Sequence, residues 1–267
     1  MAERLQTLLE QKNFYEYEQL TKTMFFKHKM RRRTDEMKKV IEDGIVTLGT
    51  NGQKDLVIDL LEIYYTEHAK KVNDIDDFFY KLCGFVFEHG DEARVENFFD
   101  RVIEYTRNAN HDIPRMLAHR QFSQGKFSTA HINFLLCRDV DFIAKSLVEV
   151  MKQGYGEAEQ DLFLARAMLE LISRTEQFSL AIKLRKDYFP QVRSPIVNFV
   201  EMLPEIIQMK DFGLLKEIIG KYENEIKRDP VFMTILDKVA QKYFDGQRLI
   251  QESGLAKLLN SFLGGGK

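Results

Sequence analysis

The stretch Asp55-Leu56-Val57-Ile58-Asp59-Leu60-Leu61-Glu62-Ile63-Tyr64-Tyr65 decides how the chain folds. Leu56, Ile58, Leu60, Leu61, Tyr64 and Tyr65 recur at intervals of three and four, the spacing of one helix face rather than the alternation of a strand. The same spacing returns downstream in Phe78, Phe79, Leu82, Phe85 and Val86, then in Phe98, Phe99, Val102, Ile103 and Tyr105. Between Glu157 and Ile172 most faces are apolar, which predicts a centrally buried helix. Five prolines (Pro114, Pro190, Pro195, Pro204 and Pro230) leave the first 113 residues with none. Proline is expelled from helix interiors, so this long proline-free run predicts helix after helix. Pro204, inside a helical pattern, predicts a kink or a break.

Local signals divide the pattern into hairpins. Asp229-Pro230 and Ser194-Pro195 each place a capping side chain before a proline at the first helical position. Thr34-Asp35-Glu36 puts acids in a first turn, and Asn51-Gly52 falls between two helical patterns. A polar residue followed by Phe opens several of them, at Asn13-Phe14, Lys126-Phe127, Gln177-Phe178 and Asp211-Phe212. Phe178 and Phe212 lie 34 residues apart, the tetratricopeptide period, although the full tetratricopeptide signature is missing. The expected fold is all-α, an α-solenoid of tetratricopeptide-like helical hairpins that offers long surfaces to other proteins.

Composition narrows the function. With 267 residues, 44% of them apolar and 30% charged, the chain can build a large core. No apolar run approaches the length of a membrane span, and MAERLQTLLEQK lacks the apolar stretch of a secretory signal. Two cysteines, Cys83 and Cys137, build no disulfide framework and suit a reducing cytosol. Both lie in apolar runs, where a buried inert thiol is expected rather than a nucleophile. The six histidines lack the offsets that put metal ligands on one helix face, and Gly264-Gly265-Gly266-Lys267 lacks the strand and helix that a phosphate loop needs. No catalytic residue, metal or cofactor is expected.

The net charge of −2 conceals structure. From Lys22 to Lys39 eight bases face two acids, a local +6, whereas from Lys54 to Asp112 fourteen acids face seven bases, a local −7. Two readings compete: ordinary solvated helix faces, or a bipolar surface that steers a charged protein partner. Arg31-Arg32-Arg33 stands without stacking aromatics or a nucleic-acid fold, so nucleic acid is not an expected partner. Near the end, Leu255, Leu258, Leu259, Phe262 and Leu263 form a narrow apolar stripe, either a cap on the last hairpin or a seat for a partner segment.

Several motifs together carry a family likeness. At the N-terminal end they are Lys12-Asn13-Phe14-Tyr15-Glu16 with Gln19, Phe25-Phe26, Asn51-Gly52-Gln53 and Asp55-Leu56-Val57 with Leu60-Leu61-Glu62. At the other end they are Pro195 with Asn198-Phe199, Arg228-Asp229-Pro230 with Leu236-Asp237, Tyr243-Phe244, and the close from Gly254 to Gly264. In their order and separation the chain resembles the fourth factor of the guided-entry-of-tail-anchored-proteins machinery, a family of cytosolic α-solenoid adaptors. Between about Asp74 and Arg193 the likeness is one of helical hairpins only.

The resemblance implies a non-enzymatic bridge in the cytosol. N-terminal hairpins, here residues 1–125, would dock the pathway's homodimeric targeting ATPase in its nucleotide-bound form. C-terminal hairpins, residues 126–267 of the same continuous solenoid, would hold a ubiquitin-like adaptor subunit, which recruits the co-chaperone carrying a tail-anchored client. Carried over by position, Tyr15, Gln19, Lys27, Arg31, Asp55 and Glu62 fall on the ATPase-docking face. Asp55 also reads as a plain first-turn acid. Phe232, Leu236, Tyr243, Phe244, Leu255 and Leu259 fall on the ubiquitin-like-partner side, where core and partner-facing positions share one spacing. Members also carry a short β-hairpin, for which only Asp245–Ser253 offers room. The alternative is a tetratricopeptide-like interaction scaffold of another assembly, of co-chaperone or proteasome-lid type.

Overall fold

The computed structural model describes residues 2–70, 75–106, 111–153 and 159–250, and these form helices and turns with no strand among them. Two compact units divide the chain, Met1–Arg120 and Gln121–Lys267.

The N-terminal unit is built from α1 (Ala2–Glu10), α2 (Phe14–Met30), α3 (Thr34–Thr50), α4 (Lys54–Tyr64), α5 (Asp77–His89), α6 (Glu92–Thr106) and the start of α7 (Asp112–Ser123). The decisive stretch is α4, and it does not end at Tyr64: Tyr65–Ala69 continue it as a single π turn. Asn13 caps α2 by accepting from the Glu16 amide (3.3 Å), and Asp76 caps α5 by accepting from the Phe79 amide (2.9 Å). Packing follows a hairpin stack: α3 lies against α2, α4 and α5, while α4 lies against α2, α5 and α6. Two glycines make α3 fit. A Cβ on Gly44 would stand 2.7 Å from the Thr21 methyl, and one on Gly49 would stand 2.4 Å from the Phe85 ring. Close approach, not backbone freedom, requires glycine at both places.

The C-terminal unit continues with α8 (Phe127–Cys137), α9 (Val140–Lys152), α10 (Gln160–Thr175), α11 (Phe178–Lys183, extended by a π turn over Leu184–Tyr188), α12 (Pro195–Met209), α13 (Phe212–Lys221), α14 (Glu223–Ile226) and α15 (Pro230–Tyr243). The helix expected to be central is α10. It packs against α8, α9, α11, α12 and α15, and buries Leu164, Ala165, Ala167, Met168, Leu169, Leu171 and Ile172. Both predicted proline starts hold, with Ser194 and Asp229 accepting from the Val197 and Val231 amides at 3.5 and 2.9 Å. Pro204 does not end its helix: α12 runs through it to Met209, because the flanking Leu203, Ile206 and Ile207 are all buried and hold the segment helical. The room allowed for a β-hairpin is taken, as far as Ile250, by turns and bends; residues 251–253 lie outside the described residues.

Candidate functional site

The α2 candidates share one exposed side. At 100° per residue Tyr15, Gln19, Phe26 and Met30 fall within about a quarter turn of α2. Tyr15, Phe26 and Met30 are 65%, 39% and 84% exposed, an unusual set of large apolar groups on one helix face. Lys27 follows on α2 and Arg31 caps its end. Lys27, Arg31, Arg32 and Lys39 are exposed and make no ion pair among the described residues. Gln19 donates to the neighbouring Glu18 carboxylate at 2.7 Å. This face is therefore apolar along its length and cationic at its C-terminal end.

Asp55 and Glu62 lie two turns apart on α4, as their spacing requires, and each already has a cation. Arg94 of α6 reaches Asp55 at 3.4 Å and Asp59 at 2.5 Å, and Arg101 pairs with Glu62. Asp55 keeps 71% of its side chain exposed; it is also a first-turn acid of α4, so both of its readings hold geometrically. Similar pairs join Lys29 to Glu67 (2.6 Å), Lys38 to Asp76 and Lys81 to Glu42. Most of these span 38 or 39 residues, with 35 for Asp59–Arg94. Among the described residues only Lys29–Glu67 and Lys38–Asp76 join the basic segment to the acidic one, while Arg94 and Arg101 pair within the acidic segment and Lys22 and Arg33 pair with Glu18 and Glu36. What faces outward is the remainder: the cationic turn after α2 and the open side of Asp55.

Beside this acidic row is a cavity of about 130 Å³ lined by Glu62, Tyr65, Thr66, Lys70, Phe98 and Arg101. The Tyr65 hydroxyl is buried and has no hydrogen-bond partner among the described residues. Burial, with the nearby Tyr105 hydroxyl adding to it, pushes this phenol up to about 12. Lys70 sits 4.4 Å from the Tyr105 ring centroid, and the Tyr105 hydroxyl donates to the Lys70 carbonyl at 3.4 Å. Sequence reading missed Tyr65, Lys70, Arg94 and Arg101. The one available signal was an arginine 39 residues beyond Asp55 and another 39 beyond Glu62.

On the C-terminal side the expectations change. Phe232, Leu236 and Phe244 are buried in the core of their own unit, and the Tyr243 hydroxyl donates to the Ile172 carbonyl at 2.8 Å. Phe232, Leu236 and Phe244 are thus core positions, while Tyr243 is part-buried. Leu255 and Leu259 lie outside the described residues. Where the described chain leaves α15, the buried Asp237 carboxylate accepts from the Leu249 and Ile250 amides at 2.7 and 3.1 Å. Exposed apolar groups on this unit are Ile132, Val148, Met209 and Ile250.

A second cavity of about 250 Å³ sits among α8, α9 and α10, with Leu135, Leu147 and Phe163 apolar and Arg166 and Arg174 charged. His131 lines it, 2.8 Å from the Ser146 hydroxyl, and burial holds its imidazole down at about 4. Cys83 and Cys137 are buried free thiols, and burial pushes Cys83 well above its ordinary value, away from thiolate chemistry. Among the described residues no group of three or more His, Cys, Asp or Glu side chains is placed to hold a metal, and no helix is long and apolar enough to cross a membrane.

The chain and its helical fold are matched in known proteins. The family model for Golgi to ER traffic protein 4 covers residues 31–263. Golgi to ER traffic protein 4 homologs from Oryzias latipes and Homo sapiens are each 22% identical, over 99% and 97% of this chain and 87% and 84% of their own lengths. The crystal structure of C. therm. Get4 superposes with a TM-score of 0.72 at 18% identity, covering 98% of this chain and 94% of that one, which places the fold. On the extent of that family match, the chain belongs to the Golgi to ER traffic protein 4 family.

Proposed function

We propose that the chain is a non-enzymatic cytosolic adaptor in tail-anchored membrane-protein targeting. Its N-terminal unit docks the nucleotide-bound homodimeric targeting ATPase. Its C-terminal unit holds a ubiquitin-like adaptor, through which a co-chaperone delivers the client tail. The observation that carries this reading is the outward face of α2, where Tyr15, Phe26 and Met30 stand exposed with Gln19 between them and unpaired Lys27 and Arg31 at the end. A lone soluble chain gains nothing by exposing three such groups on one helix, whereas a partner surface uses them as anchors ringed by charge. Asp55 and Glu62 add an acidic strip on α4, so the docking face presents both signs of charge and fixes the partner's register.

For the second partner, burial of Phe232, Leu236 and Phe244 moves the contact outward. Met209 at the end of α12, with Ile250 beyond α15 and the stripe containing Leu255 and Leu259, offers the apolar anchors.

The test is a binding measurement with the organism's own targeting ATPase, with and without ATP. Nucleotide-favoured binding is expected, weakened about tenfold by joint reversal of Asp55 and Glu62 and weakening further with salt. Equal failure to bind in both nucleotide states overturns the bridge. A steeply salt-dependent shift of RNA by the wild-type chain, lost on neutralising Arg31, Arg32 and Arg33, would instead make the cationic turn a nucleic-acid site.

A further inference from the structure

We propose that the cavity at the end of α4 is a subsite for one carboxylate side chain of the protein that docks there. Arg101 and Lys70 supply the charge and the Tyr65 hydroxyl donates to the incoming oxygen. This inference rests on the docking reading of α4 and names a chemical group that the partner must bring.

Tyr65 is 6% exposed, and its hydroxyl has neither donor nor acceptor partner among the described residues. A buried hydroxyl left unmatched is costly, and native chains rarely keep one without a use. Because its titration lies near 12, this hydroxyl carries its proton at every physiological pH and acts as a donor. The π turn over Tyr65–Ala69 begins at Tyr65 and leads into Lys70, both of which line the cavity with Arg101, and single π turns inside helices concentrate at functional sites.

The charges are uneven. Glu62 pairs with Arg101, and Lys70 makes no ion pair among the described residues, so the lining carries one positive charge in excess. Size then selects the ligand. About 130 Å³ holds a carboxylate and one or two waters at about 30 Å³ each, well short of the roughly 300 Å³ at which small-molecule pockets begin. A planar guanidinium recognises a carboxylate in two-point fashion, and Arg101 is free to do so once Glu62 meets a cation of the same partner. Arg101 is 60% exposed and meets the core only over the Phe98 ring, 5.9 Å from its centroid, which leaves its guanidinium free to turn toward an incoming carboxylate.

Tyr65→Phe is the sharpest probe because it removes the hydroxyl alone. Its melting temperature is expected to equal or exceed that of the wild type; a fall of several degrees would mean the hydroxyl is already bonded, and would overturn the subsite. Where the targeting ATPase binds the wild type, Tyr65→Phe and Lys70→Ala are each expected to weaken it about fivefold. Unchanged affinity in both, with Glu62→Arg still disruptive, overturns the subsite and leaves the docking face standing. Where the ATPase does not bind at all, the docking reading falls and the cavity is judged on acetate against inorganic phosphate at equal ionic strength. Carbon-13-labelled arginine in the full chain then supplies the signal. A saturable acetate shift at Arg101, lost in Tyr65→Phe, supports the subsite. The same shift in both proteins, none in either, or tighter binding of phosphate overturns it.

Discussion

In the N-terminal unit the charged cross-links join positions 35 to 39 residues apart, one hairpin to the next. In the C-terminal unit the bonds that fasten α10 reach across 67 to 71 residues, from Asp161 to Arg228, Ser173 to Lys242 and Ile172 to Tyr243. The first pattern is that of a repeat array whose members hold only their neighbours. The second ties an early central helix to the last one, so that unit closes on itself around α10. One chain of similar hairpins thus uses local order where it exposes Tyr15, Phe26 and Met30 on α2 and long-range closure around the buried α10.

The largest expected effect attacks the closure. Arg228 grips Asp161 through two bonds of 2.7 and 3.0 Å, and the Asp161 side chain is only 12% exposed. Although burial alone would raise it, the Arg228 bonds and a Ser194 bond hold the Asp161 carboxyl below its ordinary range. Arg228→Ala leaves that acid unpaired and is expected to cost about 3 kcal/mol in urea unfolding followed by a probe on the C-terminal unit. A loss under 1 kcal/mol would erase the contrast between the units.

Next is Gly49→Ala in α3. The gain in helix propensity, about 1 kcal/mol, is outweighed by a Cβ only 2.4 Å from the Phe85 ring, for a net loss of roughly 1–2 kcal/mol. Gly84→Ala in α5 meets nothing within 4 Å and should stabilise by about 0.5–1 kcal/mol. Opposite signs at these two helical glycines would show that α3, not glycine content, sets the spacing of the stack.

The pH dependence of the two units should also differ. His131 titrates near 4 in the folded C-terminal unit against about 6.5 unfolded, so the unfolded chain takes up the proton first. Stability is full well above pH 6.5 and falls by roughly 3 kcal/mol as pH drops to 4. His131→Gln should flatten that slope, read by unfolding at pH 7, 5.5 and 4.5. The smallest effect belongs to the ladder itself. Arg101→Gln, which frees one exposed pair, should cost less than about 1 kcal/mol and less still in 0.5 M salt.

The helices were written plainly in the chain, since apolar spacing and caps such as Asn13, Ser194 and Asp229 act within a few residues. The π turn at Tyr65 was not, because Tyr64, Tyr65 and Ala69 keep an ordinary helical spacing while one extra residue enters the turn. Continuity through Pro204 depended on the core around Leu203, Ile206 and Ile207. At the site, exposure of Tyr15 and the reach of Asp55 were anticipated in kind, but Arg94 and Arg101 come from 39 residues away, beyond any local pattern. Phe232, Leu236 and Phe244 carry the opposite lesson. A partner-facing stripe and a core stripe have the same period, so only packing tells them apart. The 34-residue interval between Phe178 and Phe212 also did not foretell the longer register of the N-terminal pairs.

That register has a kinetic consequence. Each rung spans a single hairpin interval, so opening α1 and α2 together breaks the Lys29–Glu67 rung and leaves Lys38–Asp76, Lys81–Glu42 and the Arg94 and Arg101 pairs intact. Amide exchange should therefore be released from the end inward, fastest in α1, slower in α2, slowest in α3 and α4. The helix that exposes Tyr15, Phe26 and Met30 is thus expected to exchange before α3 and α4, with the ion pairs behind it still closed.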